Sequence, residues 1–238
     1  MTLPQILSGP DRRLLIVCDH ASNSVPAGIE LGVSAAALED HIAWDIGTAK
    51  LSQALARQLQ CSAILATVSR LVVDCNRHPD HSVPESSDGR AIPGNIGLDR
   101  QARARRLAIH ADYHGAIATA IAEQPPQLVI AIHSFTPELQ SGAGHRPWPI
   151  ALLWNRDERA PKLALPALRS ETCLSGPVGA NEPYSGRDLN YTMDRHAEDN
   201  GIPYLTFEVR QDQLRDSDGI ARYAGILQRA TRAAVTGL

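Results

Sequence analysis

Short apolar runs of strand length recur along the chain, and four of them end abruptly in polar residues. The runs cover residues 14–18, 71–73, 128–132 and 203–207, and they lead into Asp19-His20, Asp74-Cys75-Asn76-Arg77, His133 and Glu208, respectively. A histidine or a glutamate at the end of a buried strand is costly unless a partner or a ligand uses it. In open α/β sheets, ligands bind at the carboxyl ends of the strands. The pattern therefore predicts that four strands deliver these side chains to one site.

Between the strands the apolar positions follow a helical pattern, as in Leu51, Leu55 and Leu59, which are spaced four apart. Predicted strands cover 12–18, 62–68, 71–75, 128–133, 149–154 and 203–207, and predicted helices cover 34–60, 98–123, 163–173, 194–200 and 216–235. Strands that alternate with helices indicate a mainly parallel sheet with helices on both faces. We therefore expect a single-domain, three-layer α/β/α fold with a mainly parallel mixed sheet over residues 1–238.

Composition excludes several classes of protein. With 238 residues, of which 43% are hydrophobic, the chain can bury a full core. A net charge of −3 gives no electrostatic case for binding nucleic acid. The N-terminus lacks the features of a signal peptide, and no apolar run approaches the roughly 18 residues that a spanning helix needs. We expect a soluble, cytoplasmic protein that binds neither nucleic acid nor a membrane, whereas the sequence does not indicate its oligomeric state.

Several other features have an ordinary structural interpretation. His110 and His114 are four apart on a predicted helix but lack the glutamate of an HExxH motif, so they are predicted to form a surface pair. Three arginines within 103–106 are predicted to lie on a solvated helix face. The four cysteines show no CxxC spacing and are predicted to be reduced, buried thiols. The stretch 76–94 lacks hydrophobic periodicity, which is typical of a lid or binding loop.

Five short phrases, taken together, resemble a known family. They are Asp19-His20-Ala-Ser-Asn23, Trp44-Asp45-Ile-Gly, Ser69-Arg70-Leu-Val-Val-Asp74-Cys-Asn76-Arg77, Asn181-Glu182-Pro-Tyr184-Ser-Gly and Phe207-Glu208-Val-Arg210-Gln-Asp212. Each phrase alone would be weak, but in this order they resemble the N-formylglutamate amidohydrolase family and, more distantly, the zinc carboxypeptidase superfamily. The resemblance spans nearly the whole chain. It implies a zinc carboxypeptidase/phosphorylase-hydrolase-like form of the α/β/α fold.

The resemblance also implies one Zn²⁺ per chain, bound by His20, His133 and a third ligand. The carboxypeptidases carry a glutamate three residues after the first histidine, but here that residue is Asn23, whose amide is a poor zinc ligand. The expected third ligand is Asp45, at the start of a helical run, and Asn23 is the alternative. From the residues alone, Asp45 could also be a helix-start carboxylate that the helix dipole favours.

The same resemblance assigns roles to residues around the metal. Glu208 is the expected general base, which takes a proton from the attacking water and passes it to the leaving amine. Asn76 and Arg77 would clamp a substrate carboxylate, because a guanidinium meets carboxylate oxygens in a bidentate fork. Arg70 would bind a second carboxylate or stabilise the oxyanion.

Neighbouring polar residues are expected to support or close the site. Asp74 and Arg210 are predicted to brace nearby groups by ion pairing, and Asp19 to orient a ligand histidine. Tyr184 and Arg187 lie on a polar loop rich in turn residues and are candidates for closing over the substrate.

These assignments imply a zinc-dependent amidohydrolase that removes an N-acyl group, most simply formyl, from an acidic amino acid such as N-formyl-L-glutamate. A related zinc deacylase or carboxypeptidase-like hydrolase on another small carboxylated amide is one alternative. A non-catalytic protein that binds a carboxylated metabolite is the other. Glu208 and both histidines argue against a pure binding protein, since it would not need a general base beside a metal.

Overall fold

The core of the fold is a seven-stranded sheet in the computed structural model, which describes residues 2–139 and 144–238. In chain order the strands are β1 (Gln5–Leu7), β2 (Asp11–Cys18), β3 (Cys61–Leu65), β4 (Ser86–Ser87), β5 (Arg90–Ala91), β6 (Leu128–Phe135), β7 (Ile150–Leu153), β8 (Val178–Ala180) and β9 (Tyr204–Arg210). The sheet has the order β1-β3-β2-β6-β9-β7-β8, and β4 pairs with β5 in a separate hairpin. Strands β3, β2, β6 and β9 are parallel, whereas β1 and β7 run antiparallel to β3 and β9.

Helices cover both faces of this sheet. They are α1 (Ala35–Leu38), α2 (Thr48–Leu59), α3 (Arg100–Glu123), α4 (Arg159–Arg169), α5 (Tyr191–His196) and α6 (Ser217–Gly237). Apolar residues of α2, α4 and α6 pack on one face, and those of α3 and α5 pack on the other. The expected single-domain α/β/α arrangement with a mainly parallel mixed sheet is confirmed, while the limits 1–238 stay a prediction. Among the described residues, none of the helices combines the length and apolarity needed to cross a membrane.

The central strand β6 explains why polar strand ends gather at one edge. All eight of its residues are buried, since helices cover both of its faces. Ile130 and Ile132 face α2, α4 and α6, whereas Val129 and Ala131 face α3 and α5. Side chains alternate between the faces of a strand, and a strand covered on both faces is therefore apolar throughout. The first polar side chain of β6 is His133, near its carboxyl end.

The predicted strand at 71–75 is wrong. Residues 71–73 are fully buried, but they belong to a third hydrophobic cluster beneath the 76–94 loop and form no sheet pairing. Their backbone groups are satisfied locally, because the amide of Val72 donates to the Ser69 carbonyl and Asn95 Nδ2 donates to the Leu71 carbonyl. An apolar run without periodicity can therefore be buried as a loop as well as a strand. The polar residues predicted to gather at one site therefore come from the ends of three strands and from this buried loop.

The predicted helix at 34–60 divides into α1 and α2, with turns over residues 40–47. Two short edge strands, β1 and β8, were not predicted. The other predicted elements are present, with ends shifted by up to four residues. The 76–94 loop contains the β4–β5 hairpin and two short 3₁₀ turns, at Pro79–His81 and Pro93–Asn95.

The surface histidine pair is a second wrong prediction. His110 and His114 are both buried, on the face of α3 that packs toward α5. Their imidazole nitrogens reach the backbone carbonyls of Arg77 and Cys75, at 3.0 and 2.9 Å. Because these hydrogen bonds replace those to water, burial costs little.

Two smaller corrections follow from side-chain exposure. Arg106 is buried rather than solvated, and its guanidinium donates to the carbonyls of Ala102 and Gly94. Among the four free thiols, that of Cys173 is exposed, whereas those of Cys18, Cys61 and Cys75 are buried as predicted.

Candidate metal centre and active-site cavity

The carboxyl ends of β2, β6 and β9 meet beside a cavity of about 310 Å³. His20 follows β2, His133 lies in β6 and Glu208 lies in β9. The parallel register of β6 and β9 sets His133 opposite Glu208. The residues predicted to bind the metal, to bind the substrate or to act in catalysis line this cavity, except Arg187 and the alternative ligand Asn23.

Asp45 reaches the cavity from the turn that precedes α2. Its amide donates to the His20 carbonyl at 3.0 Å, and the Ser134 amide donates to its Oδ2 at 3.2 Å. The chain enters α2 through Gly47, which has a left-handed φ of 89°. A Cβ there would lie 2.5 Å from the Cβ of Leu214, so glycine alone fits without strain. The local sequence thus fixes the carboxylate against both neighbouring strand ends.

His20, Asp45 and His133 form a buried group whose possible ligand atoms all lie within 4.8 Å of one another. Oδ2 of Asp45 lies 3.3 Å from Nδ1 of His20 and 2.9 Å from Nδ1 of His133. Three polar atoms from three separate segments therefore converge on one point.

A second carboxylate contacts the other nitrogen of each histidine. Nε2 of His20 lies 2.7 Å from Asp74 Oδ1, and Nε2 of His133 lies 3.1 Å from Asp19 Oδ2. An ionised carboxylate only accepts hydrogen bonds, so each Nε2 carries its hydrogen, and each Nδ1 would present a lone pair to a metal ion that replaced the proton it shares with Asp45. Paired in this way, the histidines have the orientation and basicity of metal ligands. The predicted ion-pairing role of Asp74 and orienting role of Asp19 agree with these contacts.

The convergence of these atoms requires positive charge between them, as protons or as a metal ion. Two nitrogen lone pairs and a carboxylate oxygen repel one another unless protons or a metal ion lie between them. Two imidazoles and one carboxylate are a ligand set that suits Zn²⁺ and leaves a position for water or substrate. The residues therefore fit a zinc ion. Asn23 lies outside the group, since its amide donates to the Leu38 carbonyl at 3.0 Å and to Glu39 at 3.1 Å.

The positive charges of the histidines and the negative charges of the carboxylates stabilise one another in this group. Burial lowers the pKa of His133, but the carboxylates of Asp19 and Asp45 outweigh that effect and hold it well above the usual value. Burial raises the pKa of Asp45, but both histidines and Arg70 bring it below the usual value. The site is therefore built to hold positive charge between carboxylates.

Glu208 offers a proton acceptor beside this group. Its side chain is 8% exposed, and its Oε2 has no hydrogen-bond partner among the residues that the structure describes. Burial raises the pKa of Glu208 to about 7. A buried carboxyl group with an unsatisfied oxygen at a cavity wall is unusual, because such groups are normally hydrogen-bonded. It is suited to exchange protons with a molecule in the cavity.

Two arginines that line the cavity differ in how they are held. Arg70 is fixed by Asp74, at 2.8 Å, and by Asp45, at 3.2 Å. The Arg77 side chain is 46% exposed, and its nearest carboxylate is Asp74 at 3.5 Å. Beside it, Asn76 Oδ1 accepts the Thr192 amide at 3.0 Å. Arg77 thus retains donors that could bind an anion, whereas Arg70 is already paired with two carboxylates.

The polar loop after β8 contributes one of its two predicted residues to the cavity. Tyr184 lines it, whereas Arg187 is exposed and lies outside the lining. Arg210, beyond Glu208 in β9, pairs with Asp212 at 2.7 Å, as predicted.

Three residues that lie behind the site were not predicted from the sequence. Tyr113 and Thr192 each donate to Asp19 Oδ1 at 2.8 Å, which holds Asp19 against His133. Arg146 is buried beside Tyr184, with its guanidinium carbon 4.8 Å from the ring centroid. None has a local sequence signal, because each comes from an element distant in sequence from its partner.

These features define a class: an α/β/α protein with a candidate metal centre at the carboxyl ends of its parallel strands. The family model of N-formylglutamate amidohydrolase matches residues 12–215. The chain therefore belongs to the N-formylglutamate amidohydrolase family, and this membership supports a hydrolase.

Solved structures agree with this assignment. The gene product Atu2144 from Agrobacterium tumefaciens is 30% identical, with a TM-score of 0.90 over 99% of this chain and 96% of that one. N-formylglutamate amidohydrolase from Ralstonia eutropha JMP134 is 16% identical, with a TM-score of 0.72 over 100% of this chain and 98% of that one, and it shows the shared fold. The comparison with curated protein sequences gave no match.

Proposed function

We propose that this protein is a zinc-dependent amidohydrolase that removes the N-formyl group from an acidic amino acid such as N-formyl-L-glutamate. The observation that carries the proposal is the His20–Asp45–His133 group beside the unsatisfied carboxyl oxygen of Glu208. Membership in the N-formylglutamate amidohydrolase family supports the choice of reaction and substrate.

His20, Asp45 and His133 would hold the metal ion, one per chain. When bound, zinc acidifies water and polarises the scissile carbonyl as a Lewis acid. Asp74 and Asp19 keep the hydrogen on Nε2 of the two histidines, so that both Nδ1 atoms face the metal position.

Glu208 would take the proton of the attacking water at Oε2 and deliver it to the leaving amine. Its raised pKa suits both steps, because a group that titrates near neutral pH can accept and return a proton. In support of this role, Glu208 lies next to His133 in the parallel register of β6 and β9.

The cationic side chains would bind and polarise the substrate. Arg77 would form a bidentate pair with one substrate carboxylate, with Asn76 as a second polar contact. Arg70, which Asp45 and Asp74 hold in place, would stabilise the negative charge on the carbonyl oxygen in the transition state. Tyr184 would close the cavity against the substrate.

The test is hydrolysis of N-formyl-L-glutamate by protein whose zinc content has been measured. We expect one zinc per chain and turnover that a chelator abolishes and zinc restores. Glu208→Gln should lower kcat by about 10²- to 10⁴-fold while zinc stays bound. Glu123→Gln, the same change at an exposed residue near the end of α3, serves as the control.

Zinc-loaded protein that fails to hydrolyse N-formyl-L-glutamate would contradict the substrate assignment. Other N-acyl amino acids and short peptides would then be assayed in the same way. Full activity in Glu208→Gln would instead contradict the assignment of the base.

A further inference from the structure

Arg146 is a buried cation without an anionic partner. Its residue is 6% exposed, and no carboxylate lies within ion-pairing distance of it in the described part of the chain, 2–139 and 144–238. The guanidinium Nη1 donates to the Thr136 carbonyl at 3.2 Å, and the Arg146 carbonyl accepts from Arg210 at 2.9 Å. A charge that is buried without a partner is costly, so such a group is a candidate binding element for an anion.

The position of Arg146 connects it to the cavity. Its guanidinium carbon lies 4.8 Å from the ring centroid of Tyr184 and 5.9 Å from that of Phe135. Tyr184, Phe135 and Thr136 all line the cavity. The uncompensated charge therefore lies directly behind one part of the cavity wall, where aromatic faces stabilise it only in part.

The Tyr184 side chain, which lines the cavity, packs against this charge with its ring. Burial raises the pKa of Tyr184, and the nearby Arg146 lowers it in part. The hydroxyl therefore keeps its hydrogen at neutral pH and can donate it to an anion. A neighbouring positive charge strengthens such a hydrogen bond.

An acidic N-formyl amino acid carries two carboxylates, and each needs a cationic partner when it is desolvated. Arg77, with Asn76 beside it, can bind one of these carboxylates. Arg70 is already paired with Asp45 and Asp74. Arg146 lies behind the cavity wall beside Tyr184, and its charge is not balanced by a carboxylate among the residues that the structure describes.

We propose that Tyr184 and Arg146 form a second carboxylate-binding subsite, which makes the cavity selective for N-acyl amino acids with an acidic side chain. This inference rests on the proposed function and adds to it the origin of substrate selectivity. Tyr184 contacts the side-chain carboxylate of the substrate, and Arg146 supplies the charge that balances it.

The test compares two ligands that differ in one charge, glutarate and its monoamide glutaramate. Calorimetry on protein of known metal content should show that wild type binds glutarate about 10- to 100-fold more tightly, the range expected for one hydrogen bond to a charged group. Arg146→Gln should remove this preference while its affinity for glutaramate stays unchanged, and Arg146→Lys should retain part of it. Arg169→Gln, at an exposed position near the end of α4, should bind as wild type does.

Tyr184→Phe provides a second route if Arg146→Gln fails to fold, because it removes one hydroxyl and leaves the packing of Arg146 in place. It should also reduce the preference for glutarate. A wild-type protein that binds both ligands equally, or an Arg146→Gln protein that still prefers glutarate, would overturn the proposal and leave Arg146 as a brace for the loop.

Turnover separates this proposal from the proposed function. The ratio of kcat/KM for N-formyl-L-glutamate over N-formyl-L-glutamine should fall in Arg146→Gln. If neither compound is hydrolysed by wild type, the reaction assignment fails while the calorimetry still decides the subsite. If both are hydrolysed and the ratio is the same in wild type and Arg146→Gln, the reaction stands and the subsite is wrong.

Discussion

The chain buries two groups of histidines whose surroundings differ. The site pair, His20 and His133, lies at the ends of strands around the candidate metal centre. The α3 cluster, His110, His114 and His196, lies between α3 and α5, with the rings of the first two 4.3 Å apart and those of the last two stacked at 5.1 Å. Both groups are almost inaccessible to solvent. Burial alone therefore does not separate a metal site from a structural cluster.

The two groups differ in the hydrogen-bond partners of their ring nitrogens. In the site pair both nitrogens of each ring face carboxylates, which raise the pKa of the histidines. In the α3 cluster the partners are neutral. His114 Nε2 donates to the Cys75 carbonyl at 2.9 Å, so its Nδ1 accepts from His196 Nε2 at 2.8 Å. Protonation of His114 would set two donors against each other.

Burial accordingly lowers the pKa of His114 to about 3 and that of His196 to about 4. The two groups have opposite electrostatics, one built for positive charge and the other for neutral rings. Neutral rings that are already hydrogen-bonded to carbonyls and to each other have no convergent lone pairs for a metal ion. In this protein, the orienting carboxylates and the convergence on Asp45 therefore distinguish the candidate ligand histidines from the structural ones.

Replacing one histidine in each group by asparagine should give the largest difference in zinc content and turnover between the two groups. His133→Asn removes a nitrogen ligand, so we expect loss of stoichiometric zinc and a fall of turnover to the metal-free background. His114→Asn should keep its zinc and lose about 1–3 kcal/mol of stability, since the Cys75 carbonyl loses the His114 donor at 2.9 Å and keeps the longer contact from Thr192 Oγ1 at 3.3 Å. Zinc analysis and urea unfolding measure the two outcomes. A His133→Asn protein that retains one zinc per chain would contradict the assigned ligand set.

The next contrast removes the charge that orients the site pair. Asp19→Asn and Asp74→Asn keep the shape of the side chain but remove the negative charge that favours the hydrogen on Nε2 of the histidine. We expect zinc affinity to fall by roughly 10- to 100-fold in each variant. Competition with a chelating dye measures that affinity. Asp218→Asn, an exposed change in the first turn of α6, should leave it unaltered.

The α3 cluster should make the free energy of unfolding depend on pH in a defined direction. The pKa of His114 is about 3 in the folded protein and about 6.5 in the unfolded chain. Between these values the unfolded chain binds a proton that the folded protein does not. The stabilising contribution is therefore complete above pH 6.5 and declines as the pH falls toward 3, by roughly 2 kcal/mol between pH 7.5 and pH 5.

His114→Gln tests this sign, because it keeps a donor for the Cys75 carbonyl and removes the titrating ring. Urea unfolding at pH 7.5 and pH 5, with the metal content fixed, should show a smaller loss of stability in the variant than in wild type. The site pair is present in both proteins and cancels in the difference. Equal losses in the two proteins would show that His114 is protonated in both the folded and the unfolded state.

The sequence predicted the site pair but not the α3 cluster, for physical reasons. An apolar run that ends in a polar residue marks a strand end, which indicated His133 and Glu208 directly. Asp45 was identified through the resemblance to a family, since its pattern alone fits an ordinary helix start. Along α3, alanine and charged residues alternate without a clear apolar face. The spacing of His110 and His114 therefore showed that they share a face, but not that this face is buried.

Other features depend on contacts that no local pattern contains. The 71–75 run was predicted as a strand because it is apolar. The turn at Ser69 and the donor from Asn95 instead satisfy its backbone hydrogen bonds without a sheet. Arg146 gave no signal, since its partners come from the end of β6 and from the loop after β8. The roles assigned to the site residues all stay predictions: His20, Asp45 and His133 as metal ligands, Glu208 and Arg70 in catalysis, and Asn76, Arg77, Tyr184 and Arg187 in substrate binding.

The smallest effect is expected for His110, the residue of the α3 cluster that contacts the backbone of cavity-lining Arg77. His110 donates to the Arg77 carbonyl at 3.0 Å and so helps to place the arginine proposed to bind substrate. His110→Leu removes this donor, and we expect KM to rise by about 3- to 10-fold, the equivalent of one neutral hydrogen bond. His110→Gln can restore the donor and should stay close to wild type. Neither variant should change kcat or zinc content, because His110 contacts no residue of the metal group. A change in zinc content would mean that the two groups are coupled through the Cys75–Arg77 backbone.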